Sequence, residues 1–229
     1  MHRLLFGLLL PTACGREVTA PRTLRLVAVP VYGAFSVGSG DRPYSYGTFG
    51  LAGTPVSVVL GVMDQNFHLV PGVTISWTIM HGGGFTDVRS STTDSSGTAG
   101  VSWTLDTIAQ LDSMVASIPS GTPFVVIADV RHAASIPAKV VSGNQQIITA
   151  GETSQPFVVR VTDRFGNPVS SSPVAWSGAG GGAFSALTTL TDATGTASVT
   201  LTSGVTPGVY QVVATFGTIP ATTFTLTAR

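Results

Sequence analysis

The chain has 229 residues, of which only 10% are charged, and its 11 basic residues balance its 11 acidic ones. Without an excess of positive charge or a Lys/Arg cluster, we expect no nucleic-acid partner. The length allows two domains of about 100 residues, and no apolar run reaches the roughly 20 residues that a membrane-spanning helix needs.

Residues 1–14 have the layout of a secretory signal peptide, with a short basic start, an apolar run over residues 4–10 and small residues after Pro11. The end of this segment resembles the lipobox of bacterial lipoproteins, in which Cys14 would become the lipidated first residue. Pro11 departs from the Leu that is usual there. Cys14 is the only cysteine and cannot form an intrachain disulfide, which favours lipidation. The alternatives are an ordinary signal peptide with an incidental cysteine, or a misassigned start codon.

If Cys14 is lipidated, residues 15–22 form a short tether to the membrane. Gly15 and not Asp follows the cysteine, which by resemblance to other lipoproteins permits sorting to the outer membrane. We therefore expect an outer-membrane or cell-surface lipoprotein. A secreted protein is the alternative.

An aromatic insertion, residues 32–49, breaks the pattern of the next segment. It contains Tyr32, Phe35, Tyr44, Tyr46 and Phe49. Aromatic side chains with polar tips suit contacts with sugars or proteins, so these five are candidate ligand contacts. The other interpretation is that the longer connection folds over the domain and shields an exposed edge strand.

The chain contains an internal repeat with a period of about 99 residues. The residues that align include Asp64 with Asp163, Trp77 with Trp176, Asp94 with Asp192 and Gly97 with Gly195. A period of this length exceeds that of a solenoid and matches a self-sufficient domain. We therefore predict two domains, residues 23–135 and 136–229.

Short strands separated by turns every 8–12 residues predict a β-sandwich for each copy. In the second copy, residues 156–162 form a strand that ends in the turn Asp163–Pro168. Residues 188–191 and 196–202 are predicted to form a hairpin around Asp192–Gly195. No segment has a capped helical period, so we expect essentially no helix outside the signal segment.

These residues resemble a known family. The runs 161–169, 174–176, 191–197 and 208–214 are similar to the bacterial Ig-like domain of group 1, the repeat of the invasin and intimin adhesins. The resemblance covers nearly all of residues 136–229 and implies an all-β fold of two tandem immunoglobulin-like sandwiches. The first copy departs from the family where it has Asp64-Gln65-Asn66-Phe67-His68 instead of the Asp-x-x-Gly-Asn turn.

Strand alternation places the turns at Asp163–Pro168 and Asp192–Gly195 at the pole that faces the preceding domain. They are positioned to set the angle between the domains, which is a structural role. A calcium site using Asp163 and Asp192 is the alternative, but two carboxylates are few for this cation and ordinary Asx-turns explain both. The residues with predicted turn or core roles are Asp64, Trp77, Asp94, Gly97, Asp163, Gly166, Asn167, Pro168, Trp176, Asp192 and Gly195.

We find no pattern that predicts catalysis, a metal site or a cofactor. His68, His81 and His132 stand in no nucleophile motif and lack the close Cys/His spacing of a zinc site. The sequence therefore predicts a non-enzymatic envelope protein, an Ig-like spacer or adhesion module with a surface protein or glycan as partner. The alternatives are a carbohydrate- or cell-wall-binding module that uses the aromatic insertion, and a subunit of a surface assembly.

Overall fold

The computed structural model describes residues 23–28, 35–37 and 45–229. The segments predicted as signal peptide and tether lie outside these residues, as does Cys14. Within the described part of the chain every regular element is a strand, and no helix there is long and apolar enough to cross a membrane.

The first half of the chain forms a sandwich of two sheets. Its strands are β1 (Arg25–Ala28), β2 (Phe35–Val37), β3 (Ser45–Leu51), β4 (Pro55–Met63), β5 (Thr74–His81), β6 (Phe85–Thr86), β7 (Ser90–Thr92), β8 (Thr98–Thr104), β9 (Leu111–Ser117) and β10 (Phe124–Arg131). The smaller sheet has the order β1-β4-β8-β6 and the larger one β2-β3-β10-β9-β5-β7.

The second half repeats this plan. Its strands are β11 (Lys139–Ser142), β12 (Gln146–Ile148), β13 (Phe157–Arg160), β14 (Pro173–Ala179), β15 (Ala183–Phe184), β16 (Thr188–Leu190), β17 (Thr196–Val199), β18 (Leu201–Thr202), β19 (Gly208–Phe216) and β20 (Ile219–Ala228). One sheet has the order β11-β13-β17, with β15 paired to β18, and the other β12-β20-β19-β14-β16.

Alternating sequence builds these sheets, because side chains along a strand point in turn to the core and to solvent. In β10 every second residue from Phe124 to Val130 is buried. Each sandwich has its own cluster of buried apolar residues, and the two clusters share no member. The largest buried side chains include Leu60, Ile75, Trp103, Leu105 and Met114 in the first cluster and Phe157, Phe224 and Leu226 in the second.

The predicted hairpin of residues 188–202 is wrong. β16 pairs with β14, whereas β17 pairs with β13 in the other sheet. The turn at Asp192–Gly195 therefore carries the chain from one sheet to the other. Local turn chemistry is the same for a hairpin and for such a crossing, so the sequence alone does not separate them.

The aromatic insertion follows β1 of the first sandwich and contributes the strand β2 and most of β3. β2 pairs antiparallel with β3, Phe35 opposite Gly47, and β3 in turn runs parallel to β10. The second sandwich has the same parallel pairing, β12 with β20, but no strand beyond β12. The insertion thus adds a strand at an edge that the second sandwich leaves as the end of its sheet.

Candidate functional site

Two of the five candidate contacts of the insertion, Tyr32 and Tyr44, lie outside the described residues. For Phe35 on β2 and Tyr46 on β3 only the backbone is described. Phe49 on β3 is therefore the one candidate contact with a described side chain. Phe49 is 44% exposed, and the guanidinium of Arg131 lies 4.8 Å from the centre of its ring.

The turn that begins at Asp163 in the second copy and the one that begins at Asp64 in the first copy have the same hydrogen-bond pattern. Oδ1 of Asp163 accepts from the backbone N–H groups of Phe165 at 2.8 Å and Asn167 at 2.9 Å. Oδ1 of Asp64 accepts from Asn66 at 2.8 Å and His68 at 3.1 Å. The turn therefore forms in the first copy although its sequence departs from the family pattern.

The second pair of predicted turns is equally matched. Oδ1 of Asp94 accepts from the Ser96 hydroxyl at 2.6 Å, and Oδ1 of Asp192 accepts from the Thr194 hydroxyl at 2.7 Å. These hydroxyl groups, with the backbone N–H two residues further on in each turn, lower the pKa of both carboxyls from the ordinary value. Gly97 and Gly195 close the turns by donating their N–H to the carbonyl oxygens of Asp94 and Asp192.

The two aligned tryptophans occupy equivalent core positions. Trp77 and Trp176 are both buried, and each indole N–H reaches a hydroxyl on the neighbouring short strand. Nε1 of Trp77 donates to Ser91 at 2.9 Å, and Nε1 of Trp176 donates to Thr189 at 2.8 Å.

The pole of the second sandwich that faces the first is formed as expected from strand alternation. β13 ends beside the start of β11 and the start of β17, because Arg160 lies opposite both Lys139 and Thr196. The turns that begin at Asp163 and Asp192 follow β13 and precede β17 at this end.

The side chain of Asn167 joins the two sandwiches. Its Nδ2 donates to the carbonyl oxygen of Thr107 at 2.7 Å, and its Oδ1 accepts from the backbone N–H of Ala109 at 3.0 Å. Nδ2 also donates to Oδ2 of Asp163 at 2.8 Å. Both donors and the acceptor of this buried amide are therefore used, which fixes its orientation.

Asp163 holds the linker between the sandwiches. Its Oδ2 accepts from the backbone N–H of Ala133 at 2.7 Å. A single bridge pairs it with Ser135, and the N–H of Ile136 donates to the carbonyl oxygen of Thr162 at 2.9 Å. The linker thus continues the ladder of the second sandwich instead of running free.

Asp163 is fully buried but well suited to remain ionised. Burial raises its pKa, but the N–H groups of Asn167, Ala133 and Phe165 outweigh this effect and hold the pKa below the ordinary value. A carboxylate that accepts several N–H bonds is stabilised in its charged form.

An aromatic ring completes the joint. A Cβ atom at Gly53 would lie 2.8 Å from Cζ of Phe165, so the ring of Phe165 covers this glycine of the first sandwich. The guanidinium of Arg164 lies 4.6 Å from the centre of the same ring. We call the contacts of Asn167, Asp163 and Phe165 with the first sandwich the joint.

Two carboxyl groups support the loop that receives Asn167. Nε2 of Gln110 donates to Asp106 at 3.1 Å and to Asp112 at 3.3 Å, and the N–H of Asp106 donates to Asp112 at 3.1 Å. Burial raises the pKa of Asp112, and the charge of Asp106 adds to the rise. Burial also acts on Asp106, but N–H groups of Gly83 and the loop lower its pKa.

The joint does not have the features of a cation site. Both carboxylate oxygens of Asp163 accept N–H bonds, which a calcium ion would have to displace. Among the described residues no group of three His, Cys, Asp or Glu side chains is arranged to hold a metal ion. What this arrangement can do is hold two domains in one relative position.

Sequence reasoning identified Asp163 and Asn167 as turn residues but missed their partners. Thr107, Ala109 and Ala133 contribute backbone groups, which carry no mark in a sequence. The contact of Gly53 with Phe165 could not be predicted either, since a glycine in a turn does not reveal which ring covers it.

Comparison with known proteins identifies a family for the second sandwich. Residues 138–228 match the family model of the bacterial Ig-like domain (group 1), which confirms the resemblance over the second sandwich. No curated protein sequence matches the chain.

Solved structures extend the likeness to both sandwiches. The Escherichia coli adhesin FdeC is 19% identical with a TM-score of 0.60, over 90% of this chain and 62% of that one. InvD of Yersinia pseudotuberculosis is 16% identical with a TM-score of 0.47, over 90% of this chain and 57% of that one. The D0-D1 domain of intimin is 20% identical with a TM-score of 0.35, over 76% of this chain and 93% of that one. The chain spans less than two thirds of the FdeC and InvD structures, and the likeness to FdeC shows the all-β, Ig-like fold.

Proposed function

We propose that this chain is a non-enzymatic spacer or adhesion module of the bacterial cell envelope, in which two Ig-like domains are held end to end by a stiff joint. The family match of the second sandwich and the fold shared with the adhesin FdeC support this class of role. The partner would be a surface protein or glycan.

The joint is the observation that carries the proposal. Domains that only share a covalent linker move relative to each other by default. Here the buried amide of Asn167 bonds two backbone groups of the first sandwich, and Asp163 bonds the linker itself. A spacer needs a fixed distance between its ends, and an enzyme would need a group of reactive side chains instead.

Small-angle X-ray scattering of the purified chain tests the joint. Asn167→Ala removes both cross-domain hydrogen bonds of the amide, so the distribution of interatomic distances should broaden relative to wild type. His68→Ala is the matched control, because His68 occupies the same position in the first turn and its side chain is exposed. A wild-type distance distribution as broad as that of the Asn167→Ala variant would show that the domains already move freely, and this would overturn the spacer function.

Lipid attachment at Cys14 would hold the spacer at the membrane. The support is the lipobox-like end of the signal segment and the absence of a second cysteine from the chain. In cells that express the full chain, wild type should fractionate with membranes and Cys14→Ser should not. Protease treatment of intact cells then reports whether the domains face outward. Wild type and variant both in the soluble fraction would remove the anchor and favour a secreted protein.

A further inference from the structure

Two positive charges face each other across the β11–β13 ladder. Lys139 and Arg160 are direct partners in the antiparallel register, and both are exposed. Like charges directly opposite each other destabilise a sheet. Lys139 is also the only lysine of a chain with just 11 basic residues, so the pairing does not follow from a generally basic surface.

The first sandwich shows that the fold does not need charges at these positions. Gly61 corresponds to Arg160, because Val62 aligns with Val161. The partner of Gly61 on β1 is Val27, in the place of Lys139. The two cations are therefore a property of the second sandwich alone.

The cation pair lines a surface groove. A cavity of about 350 Å³ is bordered by Lys139, Val141, Arg160, Thr162 and Gly166. The lining combines apolar and hydroxyl-bearing side chains with the two charged groups. Beside Gly166 there is open space, since no atom lies within 4 Å of a Cβ built there.

Arg160 has one backbone acceptor and one charged neighbour. Nε of Arg160 donates to the carbonyl oxygen of Thr194 at 3.1 Å, which orients the guanidinium. The charge of Arg160 also reaches Asp192, but Oδ1 of Asp192 already accepts hydrogen bonds from Thr194 and Thr196. Among the described residues neither Lys139 nor Arg160 forms an ion pair.

We propose that this groove binds carboxylate or sulfate groups of an anionic polysaccharide. The guanidinium and the ammonium supply the anion contacts, and the hydroxyl of Thr162 and the valine side chains of the lining suit the sugar ring. A single exposed ion pair contributes little affinity, so useful affinity requires a polymer that presents many such groups. The groove lies on the second sandwich and gives the spacer a class of ligand of its own.

Binding of dextran sulfate to the full chain, with neutral dextran of the same length as the reference, tests the site. Wild type should bind only the sulfated polymer, and its affinity should fall as salt rises. Lys139→Gln combined with Arg160→Gln should weaken binding at least about fivefold. The control is Arg89→Gln combined with Arg229→Gln, which removes the same charge from exposed residues elsewhere and should retain wild-type affinity.

Three results would overturn the proposal. They are no binding of dextran sulfate at low salt, an equal loss in the two double variants, and equally tight binding of duplex DNA that depends on the same two residues. Circular dichroism checks that the variants are folded. Small-angle X-ray scattering by the Lys139→Gln/Arg160→Gln variant should match that of wild type. Scattering therefore tests the joint and polymer binding tests the groove, so either proposal can fail without the other.

Discussion

Phe67 adopts a left-handed backbone conformation, with φ at 65°, at the position where the second copy has Gly166, with φ at 90°. A residue with a Cβ atom pays a conformational cost there of about 1–2 kcal/mol. The turn nevertheless forms, because the carboxylate of Asp64 accepts the same two backbone N–H groups as that of Asp163. The aspartate at the start of the turn thus matters more than the glycine, which explains why a degenerate sequence keeps the geometry.

Gly166→Ala should destabilise the second sandwich by about 1 kcal/mol, through backbone strain alone. No steric clash contributes, since no atom lies within 4 Å of the added Cβ. Thermal unfolding followed by calorimetry measures the effect, and 1 kcal/mol corresponds to a shift in Tm of about 4–8 °C for a domain of this size.

Gly208→Ala is the control for this substitution. Gly208 is also exposed and also has open space around a Cβ atom, but its φ is not positive. Alanine there should be neutral or stabilise by up to about 1 kcal/mol, because it restricts the unfolded chain. An equal loss at both positions would show that strain at Gly166 is not the cause.

At the scale of strands, the sequence predicted most elements but not all of their partners. Local alternation located β13 and β19, and the internal repeat placed Trp77 and Trp176 in equivalent core positions. It failed for β16 and β17, since a turn of the same chemistry can close a hairpin or cross between sheets. The pairing of Lys139 with Arg160 was equally hidden, because it depends on a register that includes a bulge between Val140 and Ser142.

The buried carboxyl groups of Asp163 and Asp112 should respond in opposite ways to acid. The folded pKa of Asp163 is lowered, so its stabilisation is present above its unfolded pKa of about 3.9 and is lost as pH falls through the folded value. Burial raises the folded pKa of Asp112. Its ionised form therefore destabilises the fold above that pKa, and the penalty disappears as pH falls through it.

Asp112→Asn should accordingly raise the Tm of the first sandwich at pH 7, and the gain should shrink as pH falls through the folded pKa of Asp112. The substituted amide keeps the shape of the side chain and an acceptor for the N–H of Asp106. Melting curves between pH 7 and pH 3 measure the difference from wild type. Asp129→Asn, which changes a carboxylate on β10 that pairs with Arg131, is the control for the loss of one negative charge from the first sandwich. A lower Tm for Asp112→Asn at pH 7 would mean that the hydrogen bonds of the ionised carboxylate outweigh its burial.

At the scale of the whole molecule, the joint connects the two sandwiches by hydrogen bonds and a ring contact. Its donors and acceptors on the first sandwich are backbone groups of residues 107, 109 and 133. The sequence could place Asp163 and Asn167 at the right pole, but the receiving groups depend on how a loop 60 residues earlier is folded. The second sandwich has an equivalent far pole, at which the N–H of Gly151 donates to Gly204 as that of Gly53 donates to Asp106. Gly151 is therefore a matched control for Gly53, because it occupies the equivalent position at the pole of the second sandwich that is away from the joint.

Gly53→Ala and Gly151→Ala should separate backbone strain from the loss of the joint. Both glycines have positive φ, 70° and 88°, so each substitution should cost its own sandwich about 1 kcal/mol. Only at Gly53 does the added Cβ meet the other sandwich, 2.8 Å from Cζ of Phe165, whereas at Gly151 the nearest atom belongs to Val205 at 3.9 Å. Scattering should therefore show a changed angle or wider range of angles between the sandwiches for Gly53→Ala and wild-type behaviour for Gly151→Ala.

Adding Phe165→Ala to Gly53→Ala removes the clash but also the ring, so the joint should stay loose if the ring stabilises it. If the double variant instead recovers the wild-type distance distribution, the hydrogen bonds of Asn167 and Asp163 alone are sufficient to fix the angle.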